Sequence, residues 1–256
     1  MVYDCFPFFN ELDLLELRLN EQNDVVDRHV LEESPQTFQQ QPKPLYYQEN
    51  KDRFARFHHK IVHIILDDLP PLDPWSVEFV HRDRTAYALS DCKDDDIIII
   101  ADADEIVAPS AIRIYEQNPA KKPKALCQKV FYYWMNCLVS QNCAAPVITD
   151  FFNLKQFETI SDVRLARSKF GTMYKGGWHF AYLGGTNKII EKVKAFAHSE
   201  YNNPEFLDQE KLDRMVESGL NLFDGNNGVF VDIDNTFPKY LVQNKAKFAQ
   251  YIKYYA

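Results

Sequence analysis

The stretch Ile97-Ile98-Ile99-Ile100-Ala101-Asp102-Ala103-Asp104-Glu105 decides how this chain is read. A half-buried strand alternates apolar and polar side chains, whereas four isoleucines in a row ask for burial on both faces. Two-sided burial is the mark of a parallel sheet covered by helices. The same strand carries two carboxylates, one residue apart, to its carboxyl end, where open α/β sheets bind their ligands. Carboxylates alone would repel a nucleoside diphosphate. A hard divalent cation between them, taking carboxylate and phosphate oxygens together, resolves that conflict.

Upstream, the pattern alternates in the same way. Val2–Phe6 reads as a short strand closing on Pro7, and Asn10 as the cap of a helix with Leu12, Leu15 and Leu19 on one face. Asp24–Leu31 returns as a strand, Pro35 to Pro44 is a polar loop, and Asn50–Lys60 is helical. Ile61–Leu66 is a third strand, followed by prolines and a helix from about Ser76 to Leu89. This alternation predicts an α/β, Rossmann-like fold with a mostly parallel central sheet and helices on both faces. Neither GxGxxG nor GxxxxGK[ST] follows the first strand, so dinucleotide and P-loop readings lack support.

Downstream, Val147–Leu154 and Asp162–Ala166 suggest further strands, and Asp208–Leu222 a capped helix. Leu241, Phe248, Ile252 and Tyr255 mark a docking helix over Tyr240–Tyr255. With no repeat or low-complexity linker, a single domain over 1–256 is expected. It divides into a first half over about 1–107 and a second half over about 108–256.

Composition narrows the function class. Hydrophobic residues at 46% and charged residues at 26% exclude wholesale disorder. A net charge of −8 without a basic run argues against nucleic acid and anionic membranes as partners. Five cysteines without a CxxC pair suggest reduced thiols, not a disulfide framework or zinc site. The start MVYDCFPFFNE has no basic, apolar leader, and no apolar run is long enough to span a bilayer, so a soluble cytoplasmic protein is expected.

Three segments besides the Asp-x-Asp carry candidate chemistry. In Gly176-Gly177-Trp178-His179-Phe180 the glycines allow close backbone approach, Trp178 offers a stacking plane, and His179 is a candidate third metal ligand. In Ala197-His198-Ser199-Glu200-Tyr201-Asn202, Glu200 is a candidate general base. Asp232-Ile233-Asp234-Asn235 repeats the Asp-x-Asp spacing but lies late, and reads as a solvated turn or cap. An aspartyl-phosphate enzyme is a rival user of Asp-x-Asp, yet that motif usually lies near the N-terminus and continues with Thr or Val, not Glu105-Ile106.

With these motifs in view, the sequence resembles glycosyltransferase family 17 from Val2 to about Tyr251. The resemblance rests on Tyr3-Asp4-Cys5-Phe6-Pro7-Phe8-Phe9-Asn10-Glu11-Leu12, on Glu78 with Arg82, on Asp102-Ala103-Asp104-Glu105-Ile106, on Gly177-Trp178-His179, and on Ala197–Asn202. It implies a GT-A fold, a UDP-sugar donor (UDP-N-acetylglucosamine in the characterised branch), Mn²⁺ or Mg²⁺, a glycan acceptor, and inversion at the anomeric carbon. By the same carry-over, Asp102 and Asp104 hold the metal-diphosphate and Arg82 faces the phosphates. Asp4 and Glu33 become candidates for the base and ribose, and Glu200 or Asp150 for the catalytic base. Without the anchor, stem and cysteine pattern of the glycoprotein-modifying branch, a bacterial or viral surface glycan is the expected acceptor. Gln36–Gln41 and Gly171–Gly177 are the segments expected to order around a donor. The alternative is a non-catalytic nucleotide-sugar or glycan-binding module on the same fold.

Overall fold

The computed structural model describes residues 1–223 and 226–254. Its first half alternates as the apolar runs require: β1 (Val2–Pro7), α1 (Leu12–Glu21), β2 (Arg28–Glu33), α2 (Tyr46–Asn50), β3 (Ile61–Ile65), α3 (Pro74–Asp83) and β4 (Ile97–Ile100). Then follow β5 (Glu105–Val107), α4 (Pro109–Gln117), β6 (Lys124–Tyr132), β7 (Cys137–Asp150), α5 (Phe151–Leu154) and α6 (Ile160–Leu165). β8 (Gly171–Ala181), α7 (Thr186–Val193), α8 (Gln209–Ser218), β9 (Val229–Phe230) and α9 (Lys239–Gln243) complete the order.

One sheet runs β3-β2-β1-β4-β7-β6-β8-β5, with β9 against β7. The pairings among β3, β2, β1 and β4 are all parallel. Beyond β4 the sheet is mixed: β7 lies antiparallel to β4 and β6, while β6 and β8 are parallel. The mostly parallel character expected of the sheet is concentrated in the first half. The isoleucines of β4 are each 2% exposed or less, as burial on both faces demands. From β1 the chain winds outward through β2 to β3, then returns to place β4 on the other side of β1. That reversal opens a crevice beyond the carboxyl ends of β1 and β4.

Several local expectations are corrected. Asn10 does not cap α1; its amide donates to Glu191 (2.8 Å), and Glu11 holds the N-cap position. β2 begins at Arg28 because the amides of Val25 and Val26 turn back to the Gln22 carbonyl. Asp162–Ala166 is mostly helix, since Thr159 and Asp162 close a reciprocal capping box that starts α6. β7 stops at Asp150, whose side chain accepts the Asn153 amide and starts α5. The tail docks through buried Leu241, Phe248 and Ile252, but as the short α9 and a 3-10 turn, not one long helix. Tyr255 lies outside the described residues.

Arg18, from α1, braces the crevice from below. It is fully buried and grips Asp4 with two hydrogen bonds, Nε–Oδ2 at 2.7 Å and Nη2–Oδ1 at 2.6 Å. Its remaining nitrogen, Nη1, donates to the carbonyls of Asp102, Ala103 and Glu105 at 2.7, 3.2 and 3.1 Å. His29 Nδ1 stands 2.9 Å from Asp4 Oδ2. Burial works against ionising Asp4, but Arg18 and His29 outweigh it and hold its carboxyl at about 2. A depressed carboxylate contributes stability above its unfolded pKa, and that contribution is lost as pH falls towards the folded value. The denaturant midpoint should therefore drop from about pH 4, the ordinary aspartate range, to about pH 2. Equilibrium unfolding as a function of pH checks this, with a shallower fall expected in Asp4→Asn.

Candidate functional site

The carboxyl ends of β1 and β4 and the loop after β2 open on a cavity of about 300 Å³. Pro7, Phe8, Phe38 and Phe196 supply its apolar wall, and Arg82, Asp102, Asp104 and Lys192 its charged groups. Local sequence explains the charged groups. β4 is too short to carry its carboxylates inside the core, so Asp102 and Asp104 emerge in the turn that Arg18 holds by its carbonyls. Arg82 lies in the last turn of α3, a helix started by Pro74 and by the Asp73 side chain accepting the Ser76 amide.

Each carboxylate meets two cations. Asp102, 39% exposed at its side chain, accepts from Arg82 Nη2 at 3.0 Å and from Arg164 Nη2 at 2.9 Å. Asp104 accepts from Lys192 Nζ at 2.6 Å and faces His179 Nε2 at 3.4 Å. Glu105 is tied down beneath them by Arg164 at 2.8 Å and by the Asp102 amide at 2.7 Å. Burial opposes ionisation of Asp102 and Asp104, but these cations outweigh it and hold both carboxyls below the usual range. Conversely, burial works against charge on His179, and Asp104 overcomes it to raise the imidazole. Arg82 is 4% exposed, and its Nη1 is a buried donor without a partner among the described residues. An unpaired guanidinium nitrogen at a crevice of this kind is a standing offer to an anionic oxygen.

No three His, Cys, Asp or Glu side chains among the described residues come together as a ready metal set. What Asp102 and Asp104 offer instead is a pair of hard oxygen donors lining one cavity. That pair fits Mg²⁺ or Mn²⁺, which are commonly held by one or two carboxylates plus substrate phosphates. His179 stands beside this pair as the partner of Asp104.

Asp102, Asp104, Arg82 and His179 thus converge on the cavity, and five other candidates do not. Asp4 lies inside β1, consumed by Arg18 and His29. Glu33 is fully buried and caps α2, accepting the amides of Tyr47 and Gln48. Asp150 pairs in register with Ile97, at the opposite end of β4 from the cavity, and serves as the cap of α5. Trp178 alternates with His179 along β8 and points to the other face. There it packs into the core and donates to the Thr236 carbonyl at 2.9 Å. Gly177, at φ +138°, approaches β5 and not a ligand: a Cβ there would stand 2.1 Å from the Ile106 carbonyl oxygen. Glu200 sits exposed in a surface turn, bonded to His198 at 2.7 Å; His198 reaches the cavity rim and Glu200 does not. Asp234 accepts from Thr236 and closes a turn, as its late position suggested.

Arg18, Arg164 and Lys192 were not legible as site residues. Arg164 was hidden by reading its helix as a strand; Thr159-x-x-Asp162 was the available signal. Lys192 lies on α7, whose register against the cavity no local pattern reveals.

Residues 1–233 match glycosyltransferase family 17. The human β-1,4-mannosyl-glycoprotein 4-β-N-acetylglucosaminyltransferase (Homo sapiens) is 25% identical over 282 residues, covering 93% of this chain and 52% of that protein. The rat protein of the same name (Rattus norvegicus) is 24% identical over 289 residues, covering 96% of this chain and 53% of its own length. The chain thus spans about half the length of the curated relatives it matches. Among solved structures, the galactosyltransferase LgtC in complex with donor and acceptor sugar analogs aligns with a TM-score of 0.38 and 8% identity. That alignment covers 67% of this chain and 72% of that one. On a match covering most of its length, with Asp102, Asp104 and Arg82 gathered at the crevice, the chain belongs to glycosyltransferase family 17.

Proposed function

We propose that this protein transfers a sugar from a UDP-sugar, with N-acetylglucosamine as the first candidate, to a hydroxyl of a glycan acceptor. The observation that carries the proposal is the pair Asp102 and Asp104 at the reversal of strand order, facing a cavity where an Arg82 nitrogen has no partner among the described residues. The apolar wall of Phe8 and Phe38 suits the flat base of the nucleotide. Arg82 and Lys192 suit its phosphates, and each has an anionic partner to exchange for them. A divalent cation held by Asp102 and Asp104 would offset charge on the departing diphosphate. The choice of N-acetylglucosamine follows what the human and rat relatives are named for.

The test is binding and turnover across UDP-, GDP- and CMP-sugars, each with and without Mn²⁺. Metal-stimulated release of UDP from one sugar is the expected result. Tight binding without release, with glycan acceptors present, would leave a binding module as the function. Absence of binding to every nucleotide-sugar would remove the transferase reading altogether.

A further inference from the structure

A second cavity, of about 290 Å³, adjoins the first and shares Glu11, Tyr182 and Lys192 with it. These three side chains form the partition between the two spaces. Tyr182 stands there at φ +60°, a left-handed backbone that costs a non-glycine residue energy and that concentrates at functional sites. Lys192 Nζ lies 5.5 Å from the centre of its ring, which fixes the ammonium between Tyr182 and Asp104.

Glu11 is the member of the partition able to accept a proton. Its Oε2 takes the backbone amides of Phe9 and Asn10 at 3.3 and 3.0 Å, which sets the orientation of the carboxylate. Oε1 has no hydrogen-bond donor among the described residues; the Lys192 ammonium stands 3.7 Å away. The other acids lining the first cavity are differently placed. Both oxygens of Asp102 are held by arginines, and Asp104 is held by Lys192 and His179. Glu78 has one oxygen on Arg82 at 2.9 Å and shares a separate pocket with Arg164 and Arg167, and it does not line the second cavity.

We infer that Glu11 is the catalytic base and that the second cavity is the acceptor site, taking an uncharged, hydroxyl-bearing saccharide. The inference rests on the transferase reading above. Each cation around the second cavity already holds a carboxylate, Arg53 with Asp13, Lys188 with Glu191 and Lys192 with Asp104, which suits a neutral polyol. Tyr182 and Tyr251 supply ring faces for a sugar, and Asn10 a two-way hydrogen-bonding amide. An acceptor hydroxyl reaching through the partition gives its proton to Glu11 Oε1 as its oxygen bonds to the anomeric carbon. The bond from that carbon to the phosphate oxygen breaks, and its electron pair leaves with the nucleoside diphosphate. Attack from the side opposite the leaving group inverts the centre. The proton then passes from Glu11 to solvent.

The test uses Glu11→Gln, which keeps an oxygen for the two backbone amides, together with Lys188→Trp, which narrows the second cavity. Acceptors are a panel of p-nitrophenyl glycosides, and donor affinity is measured separately by calorimetry. Glu11→Gln should lower kcat by about 100-fold or more, within the usual range for a lost general base, with donor affinity and unfolding temperature near wild type. The acid limb of the kcat–pH profile should disappear with it, and formate should restore turnover in Glu11→Ala. Lys188→Trp should cut transfer to the glycosides by about tenfold or more while leaving donor hydrolysis in place. Wild-type kcat in Glu11→Gln, or a larger loss in Glu78→Gln, would overturn the assignment of the base. Unaltered glycoside transfer in Lys188→Trp would overturn the acceptor site. Wild-type protein that turns over no nucleotide-sugar would instead remove the underlying reading, a failure visible before any variant is made.

Discussion

Replacing Asp104 by alanine should abolish the metal-stimulated part of donor binding, a loss of about 100-fold or more in affinity. Two effects follow. One of the two carboxylates available to a cation disappears, and Lys192 and His179 lose the anion that each now faces in a largely enclosed site. The first sets the affinity loss, a hundredfold being about 2.8 kcal/mol, while the second lowers folding stability, by about 3–5 kcal/mol for a buried pair broken at one partner. The residual positive charge of Lys192 should still attract UDP, so binding without metal should persist while its response to Mn²⁺ vanishes. Calorimetric titration of UDP with and without Mn²⁺ separates the two components. Asp104→Asn, which keeps the side-chain shape, should show the same loss of metal response with less damage to folding. An undiminished Mn²⁺ response in both variants would place the cation elsewhere.

Substitution of Arg18 by methionine is expected to be the most destabilising single change outside the apolar core. It strands Asp4, fully buried, with His29 as its remaining partner, and it frees three backbone carbonyls in the turn that carries Asp102 and Asp104. A loss of about 3–5 kcal/mol is a large share of the ~5–15 kcal/mol that holds a typical domain together. Urea unfolding measures it. The double variant Arg18→Met with Asp4→Leu should recover much of that stability, because an apolar pair can replace a buried ion pair. Donor binding should not return with it, since the carbonyls of 102, 103 and 105 remain unbraced. Recovery of both together would show that Arg18 acts on folding alone.

Much of the first half was legible because its signals are local. The isoleucines of β4 announce two-sided burial by composition alone, and the next residues along the chain are the carboxylates. β3 and α3 were placed by the same logic, from an apolar run and a proline-marked start. The second half was read less well because its strands break the simple patterns. β8 is extended over eleven residues that include three glycines, and its two faces serve different ends: His179 turns to the cavity while Trp178 packs into the core. A Gly-Gly-Trp-His run looks like a binding loop when side-chain direction is unknown. Asp4 and Glu33 illustrate the same difficulty in acids. Each lies on a strand leading to the crevice, yet Asp4 is consumed by Arg18 and His29, and Glu33 by the amides that start α2.

The amino-acid sequence by itself determined that a buried strand ends in Asp102 and Asp104, and that this strand belongs to an alternating α/β arrangement. Both follow from interactions between near neighbours, which composition and periodicity record. Only the tertiary structure decided what those carboxylates meet. Arg82, Arg164 and Lys192 reach them from elements 20, 62 and 88 residues away, and Arg18 braces the Asp102 carbonyl across 84. Such pairings depend on the packing of whole helices against the sheet. The placement of Glu11 Oε1 is set in the same way, by the turn into α1 and by the approach of Lys192 on α7. Charge at a residue is a property of the sequence, whereas the partner that holds or frees it is a property of the fold.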